Sequence, residues 1–201
     1  MAKIMTKRTN STLNKCLFID RDGTINKFNS GYNYKKEHIQ LIPGVEKLLS
    51  KFCKRGYKII VITNQGGIGM GLYSHKAVHT VNRYIDQLLR GNGAGIDGFY
   101  YCPHNEKDGV GKYKVNCSCR KPGNLLLEKA ITDFNADRKS SLFLGDNFTD
   151  KLCADKSNIA FYPIDFRAVK TTSQGFRVEI EEYSDELINS ILAFAERLNQ
   201  N

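Results

Sequence analysis

No stretch of this chain approaches the ~20 consecutive apolar residues that a bilayer-spanning helix needs, so no membrane partner is expected. Residues 1–15 contain no acid and carry Lys3, Lys7, Arg8 and Lys15. The stretch lacks the apolar centre of a secretory signal and is expected to be a flexible basic tail before the first strand. Internal repeats and low-complexity linkers are missing too, so residues 16–201 read as a single domain. The glycines at 66, 67, 69 and 71 do not satisfy G-x-G-x-x-G, which excludes a dinucleotide fingerprint. Gly109-Val110-Gly111-Lys112 fails as a P-loop, because the earlier glycine is absent and Tyr113 stands where Ser or Thr would bind a metal. The six cysteines lack the pattern of a secreted disulfide framework, and a cytoplasmic location is expected.

What the chain does contain is enough for one α/β domain. Its 201 residues, 41% of them hydrophobic, can bury a sizeable core but are short for two domains. The formal charge of +9 attracts any anion, a small phosphorylated metabolite as well as a nucleic acid. The positive charge gathers in the tail and in residues 105–121, while residues 179–186 run acidic.

Short apolar runs alternate with helical patterns, the order of βαβ units in a mainly parallel sheet. Strands are predicted at residues 16–19, 57–63, 98–101, 142–145 and 159–162. Pro43-Gly44 opens a helix burying Val45, Leu48, Leu49 and Phe52, and Gly56 stops it. Ser74 caps a second helix with Val78, Val81, Ile85 and Leu88 inward, ended by Gly91. A third spans about 124–134 with Leu127, Ala130, Ile131 and Phe134 inward, and a last one starts near Ser184. Cys16, Cys53 and Cys153 read as small buried hydrophobes.

Asp20-Arg21-Asp22-Gly23-Thr24 follows the first strand, Thr63-Asn64 the second, and Gly145-Asp146 the fourth, with Asp150 shortly after. In a parallel sheet those ends share one edge, where open α/β folds bind ligands. Buried carboxylates that converge need a positive partner. Mg²⁺, bound through one or two carboxylates together with substrate phosphate, is the economical one. Asp20 could then attack phosphorus as a nucleophile, and Asp22 could serve as general acid and base. Thr63, Asn64 and a cation such as Lys121 would hold the transferring oxygens.

A second cluster, Cys102-Pro103-His104 with Cys117-Ser118-Cys119, offers three thiols and an imidazole, the ligand set of a closed structural zinc site. The intervening loop is polar, and a metal clip would give it the order that its own side chains cannot. A disulfide within the cluster is the plainer alternative.

Asp20-Arg21-Asp22-Gly23-Thr24, Thr63-Asn64, Arg120-Lys121-Pro122 and Gly145-Asp146 together resemble the four ordered motifs of the haloacid dehalogenase (HAD) phosphohydrolases, over residues 16–162. The resemblance implies a Rossmann-like three-layer α/β sandwich with a minimal cap and a zinc-binding loop at about 102–119. It implies Mg²⁺ on Asp20, on the main-chain carbonyl of Asp22 and on Asp146, with Thr63 and Lys121 on the phosphoryl group. The glycine loop after Thr63 and the Cys102, His104, Cys117 and Cys119 set are similar to the histidinol-phosphate and heptose-bisphosphate phosphatases. In that subgroup the loop glycines let backbone approach substrate closely. The long zinc loop, Gly31-Tyr32 and Tyr100-Tyr101-Cys102-Pro103-His104 look more like the heptose type, although the segment 120–124 is more compact than in those enzymes.

The expectation is therefore a monomeric phosphomonoesterase that forms an aspartyl-phosphate and removes the C7 phosphate of D-glycero-D-manno-heptose 1,7-bisphosphate. Asn64, Arg120, Gly31 and Tyr32 would contact the sugar phosphate. Histidinol phosphate and a polynucleotide 3′-phosphate are the alternative substrates. A zinc-stabilised nucleic-acid-binding module is the alternative without catalysis. Against it stand the aligned acids and the lack of basic residues interleaved with an aromatic platform.

Overall fold

The computed structural model describes residues 12–28, 32–164, 170–172, 175–177 and 181–200. Five parallel strands form its sheet: β1 (Cys16–Ile19), β2 (Lys58–Asn64), β3 (Gly98–Cys102), β4 (Leu142–Gly145) and β5 (Ala160–Pro163), in the order β3-β2-β1-β4-β5. The central runs of β1, β2 and β4 are apolar and buried because both faces of the sheet are covered there. Side chains alternate between the faces. Leu17, Ile19, Ile59, Val61, Leu142 and Leu144 enter one core, while Cys16, Phe18, Ile60, Ile62 and Phe143 enter the other.

The first core is closed by α1 (Val45–Lys54), α2 (His75–Arg90) and α5 (Asp185–Leu198), the second by α3 (Leu125–Asp133) and α4 (Phe148–Lys156). This is the three-layer arrangement expected. The helix starts follow local chemistry. Ser74 Oγ accepts from the Ala77 amide at 3.2 Å and Ser184 Oγ from the Leu187 amide at 3.2 Å. Asn147 and Asp150 form a reciprocal capping box at the head of α4.

Several details differ from the sequence reading. Leu89 is the buried residue at the end of α2 and Leu88 is half-buried, as is Phe134 beyond α3. Cys16 and Cys153 are buried, but Cys53 is only half so. An antiparallel pair, β6 (Lys170–Thr172) with β7 (Gly175–Arg177), was not foreseen. Of the basic tail, residues 1–11 lie outside the described part. Asn14 is docked rather than free: its amide donates to the Asn135 carbonyl at 2.9 Å, and its carbonyl accepts from the Asp137 amide at 2.8 Å.

The strand order decides where chemistry can sit. From β1 the chain steps outward to β2 and β3, then returns to β4 on the other side of β1. The crevice at the carboxyl ends of β1 and β4 is the point where the winding reverses, the usual ligand position in such sheets.

Candidate active site

Asp20 follows β1 and Asp146 follows β4, so the reversal point carries a carboxylate from each side. The β1 turn is shaped for this. Gly23 adopts φ +95°, and a Cβ there would lie 2.5 Å from Asp146 Oδ2, so only glycine leaves that carboxylate its place. Gly145 likewise clears Asp150, whose Oδ2 would meet a Cβ at 2.5 Å. Oxygens of Asp20, Asp146 and Asp150 all lie within 4.8 Å of one another.

One cation stands among these acids. Lys121 is 4% exposed, and its Nζ lies 2.7 Å from Asp20 Oδ1 and 2.7 Å from Asp150 Oδ1. It also donates to the Ile62 carbonyl at 2.8 Å. Burial alone would lower the Lys121 pKa, yet Asp150 and Asp20 raise it well above the ordinary lysine range. Three acids against one ammonium leave negative charge in excess. Burial accordingly pushes Asp20 up to about 6, with Lys121 opposing the shift and Asp150 adding to it. A hard divalent cation fits these carboxylate oxygens and their excess of negative charge.

Asp22 is held quite differently. Arg21, fully buried, reaches it through Nη2 at 2.7 Å and Nε at 3.2 Å, and is itself fixed by Asn82 Oδ1 at 3.1 Å and the Asn33 carbonyl at 3.0 Å. Asn26 and Asn33 each donate to Asp22 Oδ1 at 2.9 Å, and Gln65 donates to Oδ2 at 2.9 Å. Burial by itself would raise the Asp22 pKa, but Arg21 and the amides outweigh it and hold the carboxyl below its usual range.

Thr63, at the end of β2, accepts from Gln65 Nε2 at 3.0 Å. Asn64 makes a reciprocal pair with the main chain of Lys121, donating to its carbonyl at 3.1 Å and accepting from its amide at 3.0 Å. This ties β2 to the segment carrying the site lysine. Asp20, Asp22, Tyr32, Thr63, Asn64, Arg120, Lys121 and Asp146 line one cavity of about 230 Å³. Gly31 lies outside the described residues. Phe28, Asn33, Gln65 and Asp150 share the lining, and the sequence reading gave them no role.

The glycine loop works mostly against protein. A Cβ at Gly67 would collide with the Tyr73 ring, and one at Gly69 would lie 2.6 Å from the Pro103 carbonyl. Only Gly66 lines the cavity, and there a Cβ would lie 2.9 Å from Arg120 Nη1. The glycines thus let this loop pack on Tyr73 and on the Cys/His loop, more than they open a path to ligand.

At the tip of β3 the second cluster converges. Cys119 Sγ lies 2.9 Å from Cys102 Sγ, 3.2 Å from Cys117 Sγ and 3.2 Å from His104 Nδ1. Cys102 Sγ is 3.5 Å from Cys117 Sγ and 3.6 Å from His104 Nδ1. These separations far exceed a disulfide bond of about 2.05 Å, and the thiols are free. Four soft donor atoms around one point can hold a metal of the zinc type. Arg120 comes directly after this set and donates to the His104 carbonyl at 3.2 Å.

Comparison with known proteins agrees with this construction. The polynucleotide kinase 3 phosphatase family matches residues 15–186. The chain is 33% identical over 186 residues to the D-glycero-beta-D-manno-heptose-1,7-bisphosphate 7-phosphatase of Haemophilus ducreyi, covering 92% of this chain and 98% of that protein. Among solved structures, a HAD-like phosphatase from Mesorhizobium loti superposes with a TM-score of 0.80 at 26% identity, over 96% of this chain and 91% of the other. The fold is shared too by D,D-heptose 1,7-bisphosphate phosphatase from B. bronchiseptica, complexed with magnesium and phosphate, with a TM-score of 0.72, 24% identity, and coverage of 92% and 98%. The chain belongs to the polynucleotide kinase 3 phosphatase family, among the phosphoric monoester hydrolases of the HAD superfamily.

Proposed function

We propose that this protein removes the C7 phosphate of D-glycero-D-manno-heptose 1,7-bisphosphate through an aspartyl-phosphate on Asp20, acting as a monomer. The observation that carries the chemistry is the convergence of Asp20, Asp146 and Asp150 at the winding reversal, with Lys121 as their sole close ammonium among the described residues. The choice of sugar rests on the heptose-bisphosphate relative, which the chain spans over 98% of its length.

Asp20 attacks phosphorus, and the bond to the departing sugar oxygen breaks. Asp22 gives that oxygen a proton. A phosphoryl anion entering beside Asp22 favours its protonated form. Asp22 then takes a proton from the water that cleaves the aspartyl-phosphate. Its resting contacts with Arg21, Asn26, Asn33 and Gln65 all stabilise the carboxylate this second step needs. Thr63 Oγ1 and Lys121 Nζ hold the phosphoryl oxygens, while Asn64, Arg120, Gly31 and Tyr32 position the rest of the substrate. Mg²⁺ on Asp20, Asp146 and the Asp22 carbonyl would neutralise phosphoryl charge. Zn²⁺ on Cys102, His104, Cys117 and Cys119 would shape the loop that presents Arg120.

The test compares specificity constants for heptose bisphosphate, histidinol phosphate and a 3′-phosphorylated oligonucleotide. Heptose bisphosphate is expected to lead by about 10²-fold or more. The charge of +9 and the family's description favour the oligonucleotide as the replacement reading, and its leading the panel would overturn the sugar assignment.

A further inference from the structure

The segment leading into α5 carries no phosphatase motif, yet one of its residues reaches the acid cluster. Tyr183 is 3% exposed, and its hydroxyl donates to the Thr24 carbonyl at 2.9 Å. Thr24, also buried, donates from Oγ1 to Asp146 Oδ1 at 3.1 Å. Two hydrogen bonds, joined through the covalent frame of Thr24 from its carbonyl to its hydroxyl, therefore link Tyr183 to the carboxylate at the end of β4.

The tyrosine is anchored independently of that chain. Its amide donates to the Pro43 carbonyl at 2.8 Å, and Gly44 exists in a form that admits it, since a Cβ there would lie 2.5 Å from the Tyr183 carbonyl. Its ring belongs to the core formed with α1 and α5. The phenol is well protected from ionisation, burial first and Asp146 second raising its pKa. It is a permanent donor, and Thr24 O has that donor in place of water. Groups that orient a ligating carboxylate tune how tightly it binds a cation.

We propose that Tyr183 is a positioning residue for Asp146, acting through Thr24, so that the segment before α5 sets the affinity of the site for its divalent cation. The inference rests on the reading of Asp146 as a metal-binding acid.

The test is calorimetric titration of Mg²⁺ into the full-length protein without substrate. Tyr183→Phe keeps the buried ring and is expected to weaken Mg²⁺ binding about 3- to 10-fold. Thr24→Val, which removes the direct contact, should weaken it about 10- to 100-fold, and Thr24→Ser should restore it. Adding Tyr183→Phe to Thr24→Val should then weaken binding by less than about 2-fold further, because the two act in series. In turnover, the Mg²⁺ activation constant of Tyr183→Phe should rise by the same factor as the binding constant, with a smaller fall in kcat at saturating Mg²⁺. A lowered melting temperature with parental Mg²⁺ affinity in Tyr183→Phe would overturn the proposal and leave the tyrosine a packing residue. Parental Mg²⁺ affinity in Asp146→Asn would overturn the metal reading beneath it, a separate outcome.

Discussion

Asp20 and Asp146 stand at the ends of β1 and β4, strands whose residues are all buried, and their spacing is set by packed backbone. The Cys/His group stands on a loop where Val110 is 68% exposed and Val115 41%, with little of its own to pack. In the first region the protein is ordered before any ion arrives, and the ion relieves an excess of buried charge. In the second the loop has exposed apolar side chains, and a bound ion would supply the order. On the proposed reading, two metal-type clusters on one sheet edge have opposite dependences: the first would need its cation to react, the second to keep its shape.

Asp20→Asn tests the first half of that contrast most severely. Turnover of the phosphorylated substrate should fall by about 10³-fold or more, because the proposed nucleophile is gone. The fold should survive, and in Mg²⁺-free buffer the melting temperature should match or exceed the parent's, since one of three mutually repelling acids has been neutralised. Phosphate release and a thermal melt on the same preparation check both parts. A substantial residual rate would break the assignment of Asp20.

Cys119→Ser should give the reverse profile. Bound zinc, measured by elemental analysis, should be lost, and the melting temperature should fall by about 6–12 °C, as for a loss of about 3 kcal/mol in a chain of this size. Activity should drop by a smaller factor than in Asp20→Asn. Parental zinc content and melting temperature would remove the distinction between the two regions.

The smallest effect lies within the acid turn itself, between two carboxyls two residues apart. Asp20, raised from 3.8 to about 6, binds its proton more tightly in the folded state. Its contribution to stability is present below about pH 4 and is lost as pH rises through about 6. Asp22 is lowered, so its contribution is present above its unfolded pKa and is lost as pH falls through the folded one. Denaturant unfolding at several pH values in Mg²⁺-free buffer should show the Asp20 decline between about pH 4 and 6, and Asp20→Asn should abolish it. Saturating Mg²⁺ should flatten it as well.

Much of this arrangement was readable in the chain because its signals are local. Continuous apolar runs such as Leu142 to Gly145 mark strands covered on both faces, and polar residues directly after them mark the functional edge. Ser74 and Ser184 announce their helices by the cap chemistry of one side chain. What escaped depends on partners far away in sequence. Arg21 lies inside the most conspicuous motif, but its full burial follows from Asn82 on α2 and the Asn33 carbonyl. Asp150 follows Gly145-Asp146 closely in the chain, but no local signal gives it a task in the chemistry. It serves as the third residue of a helix cap and as a counter-charge for Lys121 at once, and only the second duty is invisible locally. Gln65 joins Asp22 to Thr63, a link that needs the two strand ends side by side. Leu88 and Leu89 differ by one position on α2, which is within the drift of any periodic reading.

One feature of the Cys/His group reaches beyond the cavity. Cys102 is the last residue of β3, and β3 is an outer strand of the sheet. An outer strand offers a row of main-chain donors and acceptors to any other extended chain, and proteins commonly guard such borders. A clasp that fastens the tip of β3 to residues 117–119 also keeps that border in register with β2. Loss of the clasp should then change colloidal behaviour as well as melting: protein lacking it is expected to have a looser border strand and to self-associate more readily.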